Sequence, residues 1–132
     1  MATNGLITLR SGFGPQETMA RLRSEVAAKG MAVFAHIDHA AGATEVGLTL
    51  GPTDLLIFGN ARGGTPLMQA DQTMGIDLPL KALVWQDSAG TTWLSYNDPH
   101  WLAKRHGLDE RTEKVADAMA TVLAAFARAA TA

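Results

Sequence analysis

Apolar residues recur at helical spacing between Pro15 and Lys29, where Met19, Leu22 and Val26 share one side and alanines fill the flanks. This predicts an amphipathic helix, with Pro15 suited to its first turn and Gly30 to a left-handed stop. Strand-like patterns lie on either side of it. Gly5 to Arg10 alternates weakly, and "MAVFAHID" alternates clearly, with Met31, Val33, Ala35 and Ile37 on one face and Phe34, His36 and Asp38 on the other. "HAAGA" reads as a break, after which Glu45 to Leu50 sets Val46, Leu48 and Leu50 against Glu45, Gly47 and Thr49 and predicts another strand.

Asp54 to Phe58 and Leu78 to Trp85 are apolar on both faces, as central strands are, and "TTWLSY" returns from the second of them through the hairpin chemistry of "DSAG". Between the central strands, "GNARGGTP" predicts a loop and Pro66 to Thr73 a short helix, with Thr65 as N-cap and Gly75 beyond its end. Asp98 is placed to cap a short helix opening at Pro99 and closing by Gly107. The chain closes on a helix from about Asp109 to Ala130, roughly 30 Å long, with Val115, Met119, Val122, Leu123 and Phe126 as its apolar stripe. The order β-α-β-β-(short α)-β-β-α predicts an α+β fold, a mostly antiparallel sheet with helices on one face. The 132 residues are expected to form a single domain spanning 1–132.

Composition narrows the chemistry. With a net charge of −2 and no block of like charge, nothing draws the chain to nucleic acid or anionic lipid, and neither is expected as a partner. No apolar run approaches the length of a membrane span, and the opening "MATNGLITLR" lacks the pattern of a signal peptide, so the cytoplasm is the expected location. The absence of cysteine removes disulfides, thiolate metal sites and cysteine nucleophiles.

"FGNARGGTPLM" comes nearest to a functional signature. Gly59 and Gly64 have the separation found in a nucleotide-binding P-loop, yet Thr65 stands where that loop needs lysine, and Arg62 lies too early to replace it. Two readings remain: a strand-to-helix turn needing glycine for positive φ, and a weak anion site in which the N–H groups of Gly63 and Gly64 face a ligand. "HIDH" offers His36, Asp38 and His39, but a strand lets at most two of them meet one metal, and His100 and His106 are not spaced to complete a set. No metal or cofactor is therefore expected. A small hydrolase or isomerase using His36, Asp38 or His39 is the alternative. The serines at 11, 24, 88 and 95 sit in no nucleophile elbow, so no catalytic triad is drawn.

The stretches "IDHAAGA", "LLIFGNARGGTPLM", "GIDLPLKALVW" and "WLSYNDPHWLAKRHGL" resemble the domain-of-unknown-function 302 family, and with the first strand and helix the likeness covers about Gly5 to Leu108. The resemblance implies a fold like that of the TATA-box-binding protein, a curved antiparallel sheet with helices on one side, often dimeric. It implies no established activity and carries over no catalytic residue. Matching motif positions are His39, Gly59, Asn60, Gly63, Thr65, Pro66, Leu67, Met68, Leu78, Pro79, Tyr96 and Asn97. The sheet's second face, with Phe34 and parts of Asp54 to Phe58 and Leu78 to Trp85, carries more apolar surface than one helix layer covers, so a homodimer is expected. The 58–68 loop and the 96–98 strand end are expected to bind a small, anionic ligand through His39, Asn60, Gly63, Gly64, Thr65, Tyr96 and Asn97.

Overall fold

A computed structural model describes residues 4–132. The chain runs β1 (Leu6–Arg10), α1 (Pro15–Ala28), β2 (Ala32–Asp38), α2 (His39–Glu45), β3 (Thr53–Gly59), α3 (Ala61–Ala70), a 3-10 turn (Gln72–Ile76), β4 (Leu80–Gln86), β5 (Thr92–Asn97), α4 (Pro99–Arg105), a second 3-10 turn (Glu110–Thr112) and α5 (Glu113–Thr131). The five strands form one sheet in the order β1-β5-β4-β3-β2, every neighbouring pair antiparallel, with helices on one side. The α+β expectation holds. The strand expected over Glu45 to Leu50 does not exist.

Helix and loop replace that strand for local reasons. Asp38 Oδ1 accepts the Ala41 N–H, which starts α2 directly off the end of β2, and the alanines of "HAAGA" continue it. Gly47 at φ +77° then stops the helix, its N–H donating to the Thr44 carbonyl while Leu48 N–H reaches Ala43. Val46, Leu48 and Leu50 consequently stand exposed in the connection to β3.

The second departure lies in "GNARGGTPLM", where a loop was expected and α3 begins at Ala61. Asn60, not Thr65, is the N-cap, and its Oδ1 accepts the Gly63 N–H at 2.6 Å. Gly63 and Gly64 are therefore helical and need no positive φ. Only Gly59, at φ +150°, meets the expectation of a glycine-dependent turn. Pro66 sits inside the helix and removes one backbone donor, the one that would serve the Arg62 carbonyl.

Alternation divides the sheet into two faces. Leu56 and Phe58 of β3, Leu80, Ala82 and Val84 of β4, and Leu94 and Tyr96 of β5 face the helices and form the core with Met19, Leu22 and Val26 of α1 and Met119, Leu123, Phe126, Ala127 and Ala130 of α5. Phe58 and Phe126 meet there, ring centroids 5.9 Å apart and tilted by 60°. The opposite positions, Leu55, Ile57, Leu83, Trp85 and Trp93, lie on the helix-free face.

A bulge in β2 breaks the strict alternation expected there. Val33 pairs with Phe58 but Ala35 pairs with Ile57, so Phe34 is an extra residue. Beyond it the faces reverse: Ala35 and Ile37 join the helix-free face and His36 and Asp38 the helix side. Arg23 of α1 accordingly reaches His36, with NH1 3.2 Å from Nδ1.

Candidate functional site

β3, α3 and α5 leave a groove between them. It opens where Gly59 ends β3 and Asn60 turns the chain into α3, whose Gly64 and Leu67 pack inward while Ala61, Thr65 and Met68 form one wall. Val115, Ala118, Met119 and Val122 of α5 form the other wall, Met31, Leu78, Pro79 and Leu80 contribute the floor, and Phe34 stands at the rim. The space is about 420 Å³, within the range of small-molecule sites. Among the described residues no charged side chain lines it, and Asn60 and Thr65 supply its only polar side chains.

α5 shows why one wall is apolar. A helix buried only against the sheet would need the row Ala116, Met119, Leu123, Phe126, Ala127 and Ala130, and these, with Thr131 at its end, are its buried residues. Val115 and Val122 widen the stripe beyond that row and stay partly exposed on the groove. The rim has a different origin: the β2 bulge brings Phe34, 57% exposed, to the helix side instead of the helix-free face. The stripe's width was visible in the sequence; the bulge had no sequence signal.

Of the residues expected to bind a ligand, Asn60, Gly63, Gly64 and Thr65 come together on the groove. Two N–H groups expected to grip an anion are engaged: Gly63 N–H donates to Asn60 Oδ1 and Gly64 N–H to the Asn60 carbonyl at 3.2 Å. His39, the first residue of α2, lies beyond the end of β2 opposite Asp54, some five strand positions or roughly 17 Å from Gly59. Tyr96 is buried on the helix side of β5, outside the groove lining, and Asn97 beside it faces the other way, paired with Leu6. Burial is the main influence pushing the Tyr96 phenol above its usual range; the Asp98 charge adds to it and Arg128 partly offsets it.

The "HIDH" residues do not converge on a common point either. Asp38 is occupied as the α2 cap, and His36 lies between Arg23 and Asp54, with Nε2 3.7 Å from Asp54 Oδ2. His39 is exposed. Among the described residues no group of three or more His, Asp or Glu side chains is placed to hold a metal ion.

One polar cluster was missed by sequence reasoning because its members are distant along the chain. His106, with a side chain only 7% exposed, places Nε2 2.5 Å from Asp77 Oδ2 and Nδ1 2.8 Å from the Thr73 hydroxyl oxygen. Arg105 donates to both Asp77 oxygens at 3.0 Å, and Thr73 also bonds Asp71. The series hydroxyl, imidazole, carboxylate is that of a nucleophile relay, but the hydroxyl is tied to Asp71 and the carboxylate is paired with arginine. The cluster ties the 3-10 turn before β4 to the end of α4.

Comparison with known proteins agrees with this architecture. The family described as "Domain of unknown function DUF302" matches residues 7–126. A crystal structure of an uncharacterised conserved DUF302 protein from Bacillus stearothermophilus superposes with a TM-score of 0.86 at 24% identity, covering 98% of this chain and 99% of that one. Among curated relatives, a Brucella suis protein named fluoride-specific ion channel FluC 1 is 48% identical over 118 residues, which are 89% of this chain and 46% of the relative. A Brucella melitensis protein named FluC 2 is 48% identical over the same length and 44% covered. The chain thus spans just under half the length of the curated relatives it matches.

Proposed function

The chain belongs to the DUF302 family, and from that premise and the groove we propose that it is a small-ligand-binding accessory domain whose ligand lies between α3 and α5. The carrying observation is the concavity itself: about 420 Å³, walled by apolar side chains, with two polar side chains on the α3 wall. Ala118 is exposed on the α5 wall, so a tryptophan there fills the groove without entering the core. Native mass spectrometry of gently purified protein, with and without added hydrophobic fluorophore, tests the reading. Wild type should retain an adduct or bind the fluorophore and Ala118→Trp should do neither; indistinguishable behaviour of the two proteins would sink it.

The relatives favour a second statement, about the system in which the domain works. Proteins named fluoride-specific ion channels carry a 48% identical segment as 44–46% of their length. Among the described residues of this chain, no helix is long and apolar enough to cross a membrane. The domain, on this reading, serves beside such a channel instead of forming a pore. Fluoride tolerance of cells lacking the domain is the test, and growth equal to wild type across fluoride concentrations counts against it.

The helix-free sheet face supports a homodimer. Leu55, Ile57, Leu83, Trp85 and Trp93 stand together there, the two indoles stacked with centroids 6.1 Å apart. Apolar patches of this kind mark interfaces. Phe34 does not contribute, because the bulge carries it to the other side.

A further inference from the structure

We infer that the ligand of the groove is an uncharged, largely apolar molecule with a single hydrogen-bonding group. This rests on the groove being a ligand site and specifies its chemistry. Charge complementarity is the first argument. A carboxylate, phosphate or ammonium seated against the apolar walls would lose part of its hydration and meet no countercharge, because among the described residues no Lys, Arg, His, Asp or Glu lines the space. The two glycine N–H groups nearest to an anion-binding arrangement are bonded to Asn60. An ion is therefore penalised twice, by desolvation and by the absence of free donors at those positions.

The polar inventory is the second argument. Asn60 spends Oδ1 on the Gly63 N–H, which leaves its NH2 as a donor, and Thr65 brings one hydroxyl; both sit on the α3 wall. One ligand oxygen facing that wall matches this supply. The remaining walls ask only for shape. Met31, Met68 and Met119 contribute three flexible, polarisable thioethers, and Phe34 at the rim adds an aromatic ring, so the body of the ligand can be alkyl or aromatic.

A matched series tests the assignment: 1-decanol, decanoate and decylammonium, each below its aggregation limit, titrated by thermal shift and calorimetry against wild type, Ala118→Trp and Thr65→Val. Decanol should stabilise the wild type, and the two ions should bind at least tenfold more weakly. Ala118→Trp should abolish the decanol effect. Thr65→Val, which keeps the shape of the wall, should weaken decanol roughly fivefold, as loss of one neutral hydrogen bond does, and leave decane-like probes unaffected. This variant keeps the assignment testable should Ala118→Trp fail to fold. Decanoate or decylammonium binding as tightly as decanol would overturn the assignment while leaving the groove a ligand site. Absence of any response, together with no adduct in native mass spectrometry, would overturn both.

Discussion

Asn60 and Gly64, four residues apart, have opposite relations to stability. Asn60 is the N-cap of α3, and its carbonyl and side chain serve two first-turn N–H groups. Asn60→Ala should cost about 1 kcal/mol, read as a lowered denaturant midpoint, and Asn60→Asp should restore most of it. Gly64 lies inside the helix without positive φ, and a Cβ added there would meet Leu78 Cδ1 at 3.4 Å, an ordinary contact with the end of a flexible side chain. Gly64→Ala should therefore raise stability, by at most about 1 kcal/mol from the lower backbone entropy of alanine. A glycine serving a tight turn would show the reverse sign, so the pair of melting curves checks the helical assignment directly.

The β4–β5 hairpin is open to pH through one carboxylate. Asp87 Oδ1 accepts the N–H groups of Ala89 and Thr91, and Oδ2 accepts Trp93 Nε1–H at 2.8 Å. The Trp93 bond, followed by the backbone bonds, holds this carboxyl below its ordinary range. A lowered folded-state pKa means a contribution fully present above the unfolded value of about 4 and lost as the pH falls through the folded value. Tryptophan emission should therefore change below about pH 4, and Asp87→Asn should remove that transition while destabilising the hairpin at neutral pH. The hairpin was legible in the sequence because "DSAG" sits between two strand patterns, and α1 because Met19, Leu22 and Val26 keep strict spacing. α3 was not, because Gly-Gly and Thr-Pro are local breakers; the contrary signals were Asn60 as a cap and the helical spacing of Gly64 and Leu67. Half of the groove wall was legible, since Asn60 and Thr65 stand in one motif. The rest depends on α5 and β2 meeting that motif across the fold, which no local pattern encodes.

At the scale of the molecule, the groove and the helix-free face lie on opposite sides of one sheet, so ligand binding and self-association need not compete. Leu83, central on the helix-free face opposite Leu55, is the position to test. Leu83→Glu should convert the proposed dimer to a monomer in light scattering with an unchanged circular dichroism spectrum, and a wild type that is already monomeric at micromolar concentration would refute the proposal. The sheet also has an outer strand to protect. Among the described residues β2 pairs only with β3, and its other side presents backbone donors and acceptors to the surroundings. A straight edge is a template on which identical chains add without limit, and one inserted residue throws the template out of step. Deleting Phe34 would restore an unbroken register from Ala32 to Asp38, and the expected result in concentrated samples is growth of thioflavin-positive fibres that the wild type does not form. The residue that rims the groove would thus also keep the protein in solution when it is crowded.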